Sequence, residues 1–170
     1  MTVSIDGYVA DRNGNAGRLY PDLADLQGGD YLNASVEQTG AVLMGRRTFE
    51  MGDPDSFVGN YEYQIPIFVL THHPPKTPPK PDDLLTFTFV TTGIESAVTQ
   101  AAAAAGDKVV TVVGGPGVVN ELLRTGLADE LSLDLMPVFL GGGLRLFADS
   151  DLESVRVEKI DVEEIGPGPA

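Results

Sequence analysis

The sequence predicts one α/β domain built on a mostly parallel central sheet flanked by helices, with an antiparallel C-terminal edge. Three observations point to it. The first is Val109-Val110-Thr111-Val112-Val113, a continuous β-branched run that breaks at Gly114-Gly115. Without polar alternation, such a run reads as a strand buried on both faces, as in a parallel sheet covered by helices. The second is the helix that follows: Pro116 suits a first helical turn, and Val118, Val119, Leu122 and Leu123 share one face at helical spacing. The third is that the same order of strand, glycine and helix occurs earlier, at Ala41-Val42-Leu43-Met44, Gly45 and Arg46-Arg47-Thr48-Phe49-Glu50.

The remaining elements follow in chain order. Thr2-Val3-Ser4-Ile5 is a short alternating strand, Asp6-Gly7 a turn, and Tyr8-Val9-Ala10 a second strand. A polar, glycine-bearing loop from Asp11 to Asp25 is long enough to serve as a lid. Asp30 to Thr39 reads as a helix stopped at Gly40. Ile65 to Leu70 leads into a third buried strand, and Thr71-His72-His73 ends it. Pro74-Pro75-Lys76-Thr77-Pro78-Pro79 is too poor in N–H donors for helix or inner strand. Thr86 to Val90 alternates as a strand, and Ile94 to Ala105 is an alanine-rich helix stopped by Gly106. After the Val109 strand and its helix, Gly126 is the C-terminal cap, Leu131 to Val138 a strand, and Gly141-Gly142-Gly143 a sharp reversal. Val155 to Ile160 alternates as an exposed or edge strand, giving a domain over 1–165 and an irregular Gly-Pro tail over 166–170.

Composition narrows the function. The 170 residues, 42% of them apolar, suffice for one domain with a sizeable core. A net charge of −14 argues against nucleic acid and against an anionic membrane surface. No apolar run reaches membrane-spanning length and the first residues lack a signal-peptide pattern, which predicts a cytoplasmic protein. With no cysteine and only the adjacent pair His72 and His73, thiol chemistry and a histidine-based zinc site are excluded, so no metal is expected.

What the pattern favours is an anion held locally. Residues without Cβ at Gly114 and Gly115 let a ligand approach the backbone, and the helix that follows offers free N–H groups and a positive dipole end. The same glycines also suit a plain strand-to-helix turn. At the earlier unit, Arg46 and Arg47 oppose the usual preference for acidic residues in a first helical turn. A bound anion between dipole and guanidinium groups resolves that conflict, and solvent-facing arginines would leave it.

Ser4-Ile5-Asp6-Gly7-Tyr8-Val9-Ala10, Leu43-Met44-Gly45-Arg46-Arg47-Thr48-Phe49-Glu50, Val113-Gly114-Gly115-Pro116-Gly117, Gly126-Leu127-Ala128-Asp129-Glu130-Leu131 and Pro137-Val138-Phe139-Leu140-Gly141-Gly142-Gly143 run in one order along the chain. Together they resemble the dihydrofolate reductase superfamily, in the branch that holds the reductase domain of bacterial riboflavin biosynthesis proteins. The resemblance implies a dihydrofolate reductase-like sheet that binds NADPH across its strand ends. It implies cofactor contacts from Gly45, Arg46, Arg47 and Thr48 at one helix N-terminus, and from Leu70, Thr71 and His72 near the adenosine 2′-phosphate. It further implies contacts from Gly114, Gly115, Pro116, Gly117 and Val118 around the pyrophosphate, with a cis peptide between the two glycines. A homodimer and a small heterocyclic substrate are implied as well. Two departures stand out: relatives begin a few residues earlier, and they finish with a further strand after the one placed here at Val155 to Val162.

Hydride transfer to a pterin or pyrimidine imine needs a proton at the neighbouring nitrogen, from a carboxyl group or a positioned water. Asp30 comes closest to the family's acidic position, and it would serve equally as a helix N-cap. Asp6 is the second carboxylate, which an Asp-Gly turn also explains. The resemblance therefore implies an NADPH-dependent reductase of a pterin-like or ribosylaminopyrimidine substrate. Dihydrofolate reduction and a non-catalytic NADPH-binding protein are its alternatives.

Overall fold

The computed structural model describes residues 1–21, 29–147 and 152–163, so the 166–170 tail and the end of the Asp11 to Asp25 loop lie outside the described residues. In chain order the elements are β1 (Thr2–Ser4), β2 (Tyr8–Ala10), α1 (Asp30–Gln38), β3 (Thr39–Gly45), α2 (Arg46–Met51), β4 (Ile67–Leu70), β5 (Phe87–Val90), α3 (Ile94–Ala105), β6 (Val109–Gly114), α4 (Pro116–Thr125), β7 (Asp134–Met136) and β8 (Leu144–Arg145). Four strands form one sheet in the order β5-β4-β3-β6, and every pairing in it is parallel. β1 pairs with β7 in parallel, and β2 with β8 antiparallel.

Alternation along β3 explains the layering. Ala41 and Leu43 pack on one face with Phe68, Val90 and the small side chains Ala97 and Ala101 of α3, joined by Val118 and Leu122 of α4. Val42 and Met44 pack on the other face with Ile67, Val69, Phe49, Phe57 and Tyr63. All four of these β3 side chains are buried, so β3 is covered on both sides, as is β4 with Phe68 on one face and Ile67 and Val69 on the other. The sequence placed the Val109 run in that position; β6 instead ends the four-stranded order, is only half-buried along most of its length, and leaves Val109 54% exposed. A β-branched run reports a strand that fits a pleated apolar surface, and one covered face is enough to select it.

Two further expectations change. Gly40 does not stop α1 but lies within β3, where an added Cβ would sit 2.5 Å from the Ala105 carbonyl oxygen. The glycine lets the C-terminal end of α3 close down onto the strand. Residues 155–162 form no strand: Val157, Ile160 and Val162 are 76–78% exposed, and the antiparallel pairing comes from β8 against β2. The alternation there had no partner face to bury against, and periodicity alone does not supply one. The Leu131 strand shortens to Asp134–Met136. Gly126 does cap α4 in the left-handed region at φ 67°, and Gly141, Gly142 and Gly143 all adopt positive φ as their reversal requires.

The Gly40 contact is testable. Gly40→Ala should destabilise the domain by about 1–3 kcal/mol, the usual range for overpacking against backbone that cannot move aside. Urea unfolding would show it as a lower midpoint with an unchanged slope. A midpoint equal to that of the parent would mean α3 yields freely.

Candidate functional site

The parallel sheet brings three chain segments to one carboxyl edge. Gly45 is in register with Leu70 of β4, and Met44 with Gly114 of β6. The order of the sheet reverses between β3 and β6, because β4 and β5 build outward on one side and β6 returns to the other. Open α/β sheets bind ligands in the crevice at such a point. Two helices start there, α2 after Gly45 and α4 after Gly115.

Neither helix start has a side-chain cap or an acidic residue in its first turn. At a helix start the first N–H groups lack an intrahelical acceptor; at α4 Pro116 has none to give, and the Val118 and Val119 N–H groups both donate to the Gly115 carbonyl, at 3.0 and 3.2 Å. The Gly114–Gly115 peptide is cis. A Cβ on Gly114 would lie 3.2 Å from Thr48 Oγ1 and one on Gly115 3.3 Å from the same atom, so the Thr48 hydroxyl rests on the glycine pair. A Cβ on Gly45 would meet Val118 Cγ2 at 3.1 Å. Gly117 is exposed, and a Cβ there would meet nothing within 4 Å, leaving open approach to the first turn of α4.

Gly45, Thr48, Gly114, Gly115, Pro116 and Gly117 are thus assembled in one place. Val118 is assembled with them but serves differently: its side chain is buried under Gly45 and its N–H donates to the Gly115 carbonyl at 3.0 Å. Arg47 is exposed and makes no hydrogen bond or ion pair with a described residue. Arg46 lies at the mouth of a cavity of about 190 Å³ between α2, the ends of β4 and β5, and the proline-rich loop. Phe49, Val69, Phe89 and Pro79 form its apolar wall, and Arg46, Glu50, Asp55, Thr71 and His73 supply its polar groups. Thr71 is buried and fixes the loop, since its Oγ1 accepts from the His73 N–H at 3.1 Å.

Sequence reasoning placed His72 at this position; His73 lines the cavity while His72 is exposed outside it. Both histidines are exposed, and the Thr71 hydroxyl ties the turn at the His73 backbone, which a linear motif does not encode. It also missed Glu50. Arg46 Nε donates to Glu50 Oε1 at 2.6 Å, one helical turn on, and the i,i+4 spacing was the available signal.

The two carboxylates expected as acids are not among the residues that line that cavity. Asp6 accepts from Ser4 Oγ at 2.6 Å, from the Gly141 N–H at 2.8 Å and from the Leu140 N–H at 3.1 Å. These bonds, the Ser4 hydroxyl foremost, hold its carboxyl down to about 2. Asp6 thus staples the turn after β1 to the glycine reversal before β8, and Arg12 holds the same reversal through the Gly141 carbonyl at 3.0 Å. Asp30 is the first residue of α1 and exposed; Gly29 occupies the N-cap position, so the capping role does not apply to Asp30. No group of three or more His, Cys, Asp or Glu among the described residues could hold a metal, and no described helix is long and apolar enough to cross a membrane.

Comparison with known proteins agrees with this geometry. The model of the family described as RibD C-terminal domain matches residues 1–170. A solved structure of a protein assigned to riboflavin biosynthesis from Shewanella sp. PV-4 is 25% identical, with 89% of this chain and 82% of that chain covered and a TM-score of 0.68. A diaminohydroxyphosphoribosylaminopyrimidine deaminase/5-amino-6-(5-phosphoribosylamino)uracil reductase from Thermotoga maritima is 18% identical. It shares the fold at a TM-score of 0.54 over 96% of this chain and 49% of that one. No curated protein sequence matches.

The Asp6 staple has a pH signature. A carboxyl held near 2 against an ordinary 3.8 stabilises the fold above about pH 4, and that contribution is lost as pH falls through about 2. Asp6→Asn should therefore melt lower than the parent at neutral pH, with the gap closing between about pH 4 and 2. Thermal melts across that window check it, and a gap independent of pH would remove the charge from the account.

Proposed function

The chain belongs to the RibD C-terminal domain family, and from that premise we propose that it is an NADPH-dependent reductase acting on a ribosylaminopyrimidine of riboflavin biosynthesis. The observation that carries the reading is the pair of uncapped helix starts, at α2 and α4, meeting across Gly45 and the Gly114–Gly115 peptide at the sheet's switch point. That arrangement suits a pyrophosphate, which takes backbone N–H donors and tolerates no crowding by Cβ atoms. The name of the Thermotoga relative supports the substrate class, and the family membership supports the chemistry.

In this reading Gly45, Gly115 and Gly117 give the diphosphate access to the backbone, and the Thr48 hydroxyl, resting on the glycine pair, is positioned to donate to it. Arg46 reaches the adenosine end at the mouth of the cavity, with His73 rather than His72 beside it. Bound NADPH supplies the hydride. The protein's remaining task is a proton for the nitrogen beside the reduced carbon. Asp6 has its carboxyl oxygens taken up by Ser4, Leu140 and Gly141 and serves the turn. Asp30, exposed at the first position of α1, is the carboxylate assigned to deliver that proton or to orient the water that does.

NADPH should bind more tightly than NADH by about one to two decades, the worth of a charge-assisted contact of roughly 1.5–3 kcal/mol at the 2′-phosphate. Equal dissociation constants in fluorescence titrations would sink that assignment. Asp30→Asn should keep NADPH affinity while turnover with the ribosylaminopyrimidine falls roughly 100- to 10,000-fold. Unchanged turnover would take Asp30 out of the mechanism. Reduction of dihydrofolate in place of the aminopyrimidine would reassign the substrate, and NADPH affinity without oxidation of the cofactor by either would make the protein a binder.

A further inference from the structure

Helix α1 is fastened unequally along its length, and Asp30 stands at the looser end. No residue of α1 is buried. Its C-terminal half is nevertheless tied to the core. Val36 packs beside the cluster around Val42 and Met44, and Ser35 Oγ meets the Tyr63 hydroxyl at 2.9 Å. Where α1 passes into β3, the buried Thr39 hydroxyl reaches the Ser35 carbonyl at 2.6 Å and Thr111 Oγ1 at 2.7 Å. The N-terminal half begins at Gly29 without a side-chain cap, and uncapped helix ends fray. There the Tyr31 hydroxyl, one residue after Asp30, donates to Asp134 Oδ1 of β7 at 2.9 Å.

Asp134 is a fixed point for that contact. It is in register with Thr2 of β1, takes the Thr2 hydroxyl at 3.3 Å, and donates its N–H to the Met1 carbonyl at 2.9 Å. Met1 in turn lies against the glycine pair, since its Sδ would be 3.7 Å from a Cβ on Gly114. The Tyr31 contact therefore ties the first turn of α1 to the strand pair that borders those glycines. Magnitude separates the two things it could do. Tyr31 is 42% exposed, and an exposed hydrogen bond adds little to the stability of the whole domain. In a turn with neither cap nor buried side chain, the same contact weighs heavily in where the turn sits. We propose that Tyr31 is a positioning residue: through Asp134 it holds the first turn of α1 so that Asp30 is presented to the substrate in one geometry. This rests on the reductase reading above, with Asp30 as the carboxylate that serves the proton.

Tyr31→Phe removes the hydroxyl and keeps the ring. The Asn33 amide, which closes the first turn on the Gly29 carbonyl at 3.0 Å, should exchange with solvent about 5- to 10-fold faster in the variant, while the thermal midpoint and NADPH affinity stay those of the parent. Turnover of the ribosylaminopyrimidine should fall about 10- to 100-fold at an unchanged KM, the effect of displacing a reacting group by about an ångström. In the Asp30→Asn background the same substitution should lower turnover no further, because residues that act through one group are not additive. Full turnover in Tyr31→Phe beside an impaired Asp30→Asn overturns the positioning role and leaves the reductase reading intact. An equal loss in both backgrounds also overturns it, since Tyr31 would then act apart from Asp30. If Asp30→Asn turns over like the parent, this inference falls with that acid, and the reductase reading loses only its proton source. If the parent neither binds nor oxidises NADPH, both fall together.

Discussion

The close approach of β3 and β6 at their carboxyl ends is the constraint on which the site depends. A Cβ on Gly45 would press on Val118 and come within 3.5 Å of the Gly115 N, and Cβ atoms on Gly114 and Gly115 would crowd the Thr48 hydroxyl. Two strand-to-helix turns therefore share one small volume, which is possible only because glycines stand at both. Once they do, α2 and α4 start from adjacent turns at the carboxyl edge of the sheet. The rest of the four-stranded sheet supplies the flat, doubly covered platform that holds the turns in register.

That platform explains which parts of the fold were legible in the sequence. The β3 run Ala41 to Met44 and the helices after Gly45, Gly93 and Gly115 follow from local pattern, because buried strands and glycine-bounded helices carry their signals in adjacent residues. The place of each strand within the sheet does not. β6 reads as more buried than β3 by composition and is less so in space, since the number of neighbours is a property of topology. Gly40 misled for a related reason: a glycine marks an unusual backbone or a close approach, and only the position of Ala105 tells which.

The candidate site is legible where the backbone brings it together and obscure where long side chains do. Gly45, Thr48, Gly114, Gly115 and Gly117 meet through absent side chains or a short hydroxyl, so their adjacency follows from their spacing. Long side chains have more choices. Arg46 turns to Glu50, the Thr71 hydroxyl ties the turn at the His73 backbone, and Asp6 is drawn into a staple by Ser4 and the Gly141 turn. Each outcome depends on a partner that is near in space or in helical phase.

On the proposed reading an acidic protein takes up a polyanion against its own field, and the distribution of its cations bears on how. The chain has 11 Lys and Arg against 25 Asp and Glu, a balance that repels phosphates at a distance. Arg46 and Arg47 nevertheless stand in the first turn of α2, and Lys76 and Lys80 sit on the loop whose Pro75, Thr77 and Pro79 line the cavity. Four of the 11 cations, with both histidines, thus lie on α2 or on the segment that follows β4. Charges farther than about a Debye length, 8 Å at physiological salt, are largely screened, so the balance at the cavity is set by Arg46 and His73 together with Glu50 and Asp55, which line it. On the proposed reading a phosphate ligand would be selected on contact rather than steered from afar, by these few side chains and not by the excess of carboxylates outside that radius.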